Sequence, residues 1–219
     1  MQQYSVHTQT APGVVSTNKV LRNTYWLLGM TLAFSALVAY VAMSLKLPPP
    51  GILITLVGFY GLLFLTHKTA NSGAGILSVF ALTGFMGYTL GPIISLYLGA
   101  GLGDVVALAL AGTATVFFAL SAYVLISGKD MSFLGGMLQA GFWVLLLMIV
   151  ASFFVKAQAF HLVLSGLFIM FSSAVILYQT SDIIQGGERN YIRATVTLFV
   201  SIYNIFVSLL NILGIMNDD

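Results

Sequence analysis

Cysteine is absent from this 219-residue chain, which excludes a disulfide framework and any thiol nucleophile. Charge is scarce as well. Only 6% of the residues are Asp, Glu, Lys or Arg, against about 25% in an ordinary soluble domain. The eight basic and six acidic side chains leave a net charge of +2, too small and too scattered for a nucleic-acid surface. The first 15 residues hold neither a basic stretch nor an apolar run, so they read as a short polar tail rather than a cleaved signal peptide. What fills the composition instead is hydrocarbon, with 59% of the residues hydrophobic. A soluble globule of this length could not hide that much apolar surface, so the bilayer must be its solvent.

A spanning helix needs about 20 residues. Apolar runs lie at 25–45, 51–66, 75–98, 104–127, 133–155, 160–182 and 195–216, which predicts seven spans joined by short loops and leaves no room for an extramembrane catalytic domain. The separators are turn-forming: Leu47-Pro48-Pro49-Pro50-Gly51, Asn71-Ser72-Gly73, Gly99 to Asp104, Ser127-Gly128-Lys129-Asp130, and Gln185 to Asn190. The slightest is Lys156-Ala157-Gln158. Asp104 is expected to N-cap the fourth span. The chain shows no internal repeat.

Lys and Arg set the orientation of a membrane protein. With seven spans, Lys19, Arg22, Lys68, Lys129, Arg189 and Arg193 fall on one side and only Lys46 and Lys156 on the other. The expectation is a cytosolic N-terminus, with Asp218 and Asp219 outside. Six spans would put both tails together and spoil this bias.

No span has a charge at its centre, which argues against proton-coupled or ion-coupled transport. The last span instead carries neutral polar residues, Thr197, Ser201, Asn204, Ser208 and Asn211, at intervals of four and three that place them along one seam. The sixth span repeats the pattern with Ser165, Ser172 and Gln179, and with Asp182 one turn beyond. Lipid offers such groups no hydrogen bonds, so they should face protein or water, either as interhelical glue or as the lining of an ion path. The seam should make the last helix central. Asp182 is expected to form an interfacial ion pair with Arg189 or Arg193. Gly84, Gly87 and Gly91 on the third span, with Pro92 next, and Gly58 and Gly61 on the second, are expected to serve close helix packing and a kink.

Enzymatic constellations are missing. Gly101-Leu102-Gly103-Asp104 spells the GxGD string of intramembrane aspartyl proteases, but that chemistry needs a second aspartate at the same depth, and Asp182 lies near the opposite face. His161 and Ser165 are one turn apart without a third group. His161 and His67 read as interfacial side chains. No enzyme activity, metal or cofactor is implied.

Asn18 to Tyr25 entering the first span, Lys129 to Gly136 entering the fifth, and Leu177 to Asp182 together with Tyr203 to Leu210 resemble the Bax inhibitor-1 superfamily. The likeness covers about residues 18–215 and is nearest the bacterial inner-membrane members that bind and modulate the membrane-anchored AAA protease FtsH. The resemblance implies a seven-helix bundle in the bacterial inner membrane: residues 1–22 a cytosolic tail, 23–216 the transmembrane domain, 217–219 a short periplasmic end. It implies regulatory binding to FtsH, the alternative being a cation or calcium leak. Calcium-leak members of the superfamily carry a pH-sensing aspartate pair at positions that match Gln179 and Ser201. Neither residue is ionisable. The tail from Met1 to about Ser16 lacks an apolar stripe and is expected to be disordered and accessible to the protease.

Overall fold

The computed structural model describes the backbone of residues 12–217 and the side chains of residues 19–217. Seven helices and no strand form among these residues: α1 Pro12–Ser44, α2 Ile52–Thr69, α3 Ala74–Gly99, α4 Gly103–Ser127, α5 Leu134–Ser152, α6 Gln158–Ile184 and α7 Tyr191–Asn217. Each is long and apolar enough to cross a bilayer. The fold is an all-α, seven-helix membrane bundle.

Two boundaries differ from the sequence expectation. Helix α1 starts at Pro12, inside the segment read as a non-helical tail. Nothing from Val14 to Asn23 breaks a helix, and proline is suited to a first turn. Residues 1–11, which hold most of the expected tail, lie outside the described residues. Helix α4 starts at Gly103, so Asp104 is a first-turn residue facing the helix dipole rather than the N-cap. The loop before it is fixed by the end of α3. Gly101 adopts φ +79, its N–H reaches the Leu98 carbonyl at 3.1 Å, and the Leu102 N–H reaches that of Tyr97 at 2.9 Å. These are the two bonds of a Schellman stop.

Helix α7 is the hub, packed against α1, α2, α3, α4 and α6. Its centrality rests on apolar bulk more than on its polar seam: Leu198, Phe199 and Ile205 are fully enclosed with Leu28, Val79, Leu82 and Ile176. A second cluster joins Val105, Val106 and Ala109 of α4 to Phe206 and Leu210 of α7. Helix α5 is peripheral and packs along α6; Leu134 and Leu138 pin its start against Val124, Met131, Leu177 and Ile184.

In lipid the hydrophobic effect does not drive helices together, so close van der Waals approach must. Helices α1 and α3 achieve it through the predicted glycines. Running parallel, they bring Gly84, Gly87 and Gly91 in order against Phe34, Ser35 and Ala42. A Cβ at Gly87 would fall on the Ser35 carbonyl, and one at Gly91 would sit 2.6 Å from the Ala42 Cβ. Helix α3 continues unbroken through Pro92. On α2, Gly58 receives the Phe85 ring, whereas Gly61 faces open space.

Candidate functional site

The loops after α2, α4 and α6 meet at one end of the bundle, and side chains tie them together. Asn190 is the principal knot. Its Oδ1 accepts from the Ile192 and Arg193 N–H groups at 2.9 and 3.1 Å, capping α7. Its Nδ2 donates to the Ala70 carbonyl at 2.9 Å and to Asn71 Oδ1 at 2.7 Å, gripping the α2–α3 loop. Ser181 does the same for the α4–α5 loop: its Oγ accepts from the Met131 N–H at 2.9 Å and donates to the Lys129 carbonyl at 3.2 Å. Gln185 Nε2 adds a bond to the Gly128 carbonyl at 3.1 Å. Around this knitted end stand Lys19, Arg22, Lys68, Lys129, Arg189 and Arg193, all exposed.

Asp182 lies at the same end, but the expected pairing with Arg189 or Arg193 does not form. The chain turns back through Gly186, with φ +80, and the Gly187 and Glu188 N–H groups bond the Asp182 carbonyl at 2.9 and 3.2 Å. This stop lays Gly187 against the Asp182 carboxylate and leaves Glu188 and Asp130 as its charged neighbours. Arg189 Nε donates instead to the Gly186 carbonyl at 3.2 Å.

The α7 seam turns inward: Ser201 and Ser208 are buried, and Thr197, Asn204 and Asn211 are half-buried. As glue it is thin. Thr197 and Ser201 bond back to the carbonyls of Arg193 and Thr197 on their own helix. Only Asn211 crosses to α6, accepting from Ser165 Oγ at 3.3 Å. The interhelical bonds lie elsewhere. Tyr203 and Thr89 hydroxyls meet at 2.7 Å between α7 and α3. Thr195 donates to the Thr24 carbonyl of α1 at 3.2 Å, and Tyr97 donates to the Leu210 carbonyl at 3.0 Å. Four buried polar atoms on three helices have no hydrogen-bond partner among the described residues: Thr24 Oγ1, Ser121 Oγ, Ser172 Oγ and Gln179 Nε2.

The hydrolytic motifs dissolve in this geometry. Ser165 faces Asn211 rather than His161, and Asp104 is exposed at the end remote from Asp130 and Asp182. Among the described residues no three His, Asp or Glu side chains gather as a metal-holding set.

Residues 17–218, nearly the whole bundle, match the family described as "Inhibitor of apoptosis-promoting Bax1". The chain belongs to the Bax inhibitor-1 family. It is 61% identical over 215 residues to the Escherichia coli K12 protein named "Modulator of FtsH protease YccA", an alignment covering 98% of this chain and 97% of that one. The same protein in another E. coli strain is named "Inner membrane protein YccA". An uncharacterised Pasteurella multocida protein is 65% identical over 190 residues, 87% of this chain and 86% of its own. A Pseudomonas aeruginosa relative is 57% identical over 219 residues, 100% of this chain and 98% of its own.

In this Bax inhibitor-1 chain Gln179 and Ser201 are both buried, Gln179 with its amide nitrogen unpartnered among the described residues and Ser201 bonded to its own helix. Sequence reading missed Asn190, Ser181 and the Tyr203–Thr89 pair. A signal existed for Asn190 alone, since asparagine before a helix is a favoured cap; its grip on a loop 119 residues away has no local signature.

Proposed function

We propose that this protein is a non-enzymatic regulator of the bacterial inner membrane that binds the FtsH protease and slows or competes for its proteolysis. The observation that carries this reading is the 61% identity, over nearly the full length of both chains, with the E. coli protein named a modulator of FtsH. The architecture supports it. Helices α2 and α5 lie at the rim with bulky apolar side chains outward, among them Leu53, Val57 and Phe64 on one and Trp143, Leu147 and Val150 on the other. Such faces suit membrane helices of a partner. The knitted basic end is a firm surface on the side that the positive-inside rule assigns to the cytosol, with the C-terminus then periplasmic.

Affinity purification from membranes in mild detergent tests the binding. FtsH should co-isolate at a fixed ratio. Recovery of the intact protein free of FtsH, under conditions that keep FtsH assembled, contradicts it.

A second reading, a cation leak, draws on the unpartnered Thr24, Ser121, Ser172 and Gln179 atoms, since buried polar groups in a membrane bundle demand polar company. Calcium flux into liposomes holding only this protein distinguishes it. A rate above protein-free vesicles supports the leak, and an equal rate excludes it.

A further inference from the structure

The Ser165 Oγ bond to Asn211 Oδ1, at 3.3 Å, fixes the register between α6 and α7. The two helices run antiparallel from the turn at Gly186 and pack along each other. A step of seven residues is about two turns, roughly 10.5 Å, and returns to the same face of a helix. Seven residues on from Ser165 is Ser172, and seven back from Asn211 is Asn204; a second step gives Gln179 and Thr197. Three polar rungs therefore stand level across the seam: Ser165–Asn211, Ser172–Asn204 and Gln179–Thr197. Ser172 and Asn204 lie at the midpoints of their helices, in the centre of the hydrocarbon.

Only the first rung closes directly. Ser172 is 1% and Gln179 7% exposed, and Ser172 Oγ and Gln179 Nε2 have no hydrogen-bond partner among the described residues. The chemistry of the groups selects what completes them. Gln179 Nε2 can only donate, so its partner must accept. The Thr197 hydroxyl already donates to the Arg193 carbonyl at 3.1 Å and has only lone pairs left to offer. An occupant between them must accept from one side and donate to the other. A cation cannot accept from the amide, and calcium needs about six to eight oxygen ligands. An anion cannot donate to Thr197, and neither rung holds a Lys or Arg. Water does both, and a buried water is satisfied by about two to four polar partners.

We propose that one ordered water sits at each of the Ser172–Asn204 and Gln179–Thr197 rungs and bridges α6 to α7. The two sites are separate. The roughly 10.5 Å between rungs would take about three further waters at hydrogen-bond spacing, and Ile176, fully buried, fills the α6 face between them. Single waters thus stitch the seam, and no continuous file threads it. These sites rest neither on FtsH binding nor on a cation leak.

The test is X-ray radiolytic labelling of the full-length protein in nanodiscs, read by peptide mass spectrometry. Radiolysis turns a bound water into a hydroxyl radical where it sits, so a buried side chain is oxidised when water lies beside it. Ile176 and Leu82 are both fully buried, but only Ile176 stands next to the rungs. Ile176 should be oxidised several-fold faster than Leu82. Ser172→Ala combined with Gln179→Leu removes the α6 half of both rungs and should bring Ile176 down to the rate of Leu82. Ser172→Ala alone, a change of one heavy atom, is read by thermal unfolding. It should lower the midpoint, because it takes a partner from the water and from Asn204; removing a dry, unpartnered hydroxyl would raise it. Ile176 as silent as Leu82 in the unmodified protein overturns the proposal. So does Ile176 oxidation that survives in the double variant, or a midpoint that Ser172→Ala leaves unchanged or raises.

Discussion

Asn190 donates its side-chain N–H to the side-chain carbonyl of Asn71 at 2.7 Å, so the residue that starts the last helix also holds the turn between the second and third. One amide thus performs a local task and a long-range one, and the two can be separated. Asn190→Ala removes both. The lost cap alone costs about 0.5–2 kcal/mol, and the bonds to Ala70 and Asn71 add to it. Asn190→Asp keeps the capping oxygen but loses the Nδ2 donor and sets a carboxylate against the Ala70 carbonyl. Thermal unfolding in detergent should rank the wild type above the aspartate variant, and that above the alanine variant. Equal midpoints for wild type and Asn190→Ala would mean that the knot is not structural.

Gly87 and Gly61 make a matched pair on helices of the same bundle. A methyl group at Gly87 meets the Ser35 backbone, whereas at Gly61 it meets nothing within 4 Å. Gly87→Ala should therefore destabilise by about 1–3 kcal/mol, the usual cost of overpacking. Gly61→Ala should be neutral or stabilising by up to about 1 kcal/mol, since alanine is the better helix former. The same unfolding assay reads both, and similar effects would remove α1–α3 proximity as the cause.

The absence of cysteine makes orientation directly measurable. Asn217→Cys should react with a membrane-impermeant maleimide in cells whose outer membrane alone is permeable. Ser72→Cys, in the α2–α3 turn, should react only once the inner membrane is opened. The reverse pattern would invert the topology inferred from the six-to-two distribution of Lys and Arg.

The fold was largely readable because the bilayer imposes a simple rule, about 20 apolar residues per crossing. The six turns stand out against that background, and the odd helix count follows from where eight cations fall. The α3 glycines were readable too, since small residues at helical spacing have few other uses in lipid. The tertiary polar contacts were not. Asp182 and the arginines look like partners in sequence, yet the backbone turn at Gly186 interposes itself. Tyr203 and Thr89 sit in unremarkable apolar runs and meet only because α3 and α7 cross there. The seam residues of α7 are buried or half-buried, but whether they bond across to a neighbour is not legible, because hydroxyls on a helix can satisfy themselves on their own backbone, as Thr197 and Ser201 do.

The N-terminal tail offers a test of how the protein is itself turned over. Residues 2–10 are polar and without an apolar stripe, and the other loops on the basic side are tethered at both ends, two of them bound by Asn190 and Ser181. The hypothesis is that an ATPase engages the chain through residues 2–10 rather than through those loops. Deleting about eight residues between Gln2 and Thr10, a segment with no apolar stripe to pack, should lengthen the protein's half-life in a pulse-chase while FtsH binding persists. Unchanged half-life, or loss of binding with the tail, contradicts that division of labour.

The most direct measurement is the rate at which purified FtsH degrades a membrane-protein substrate in proteoliposomes, with this protein added at increasing ratio. The expected result is a dose-dependent slowing that saturates near the amount needed to occupy every FtsH complex and that is stronger with the tail-deleted form. A rate unaffected at any ratio, with both proteins shown to share the same vesicles, would contradict the regulatory role.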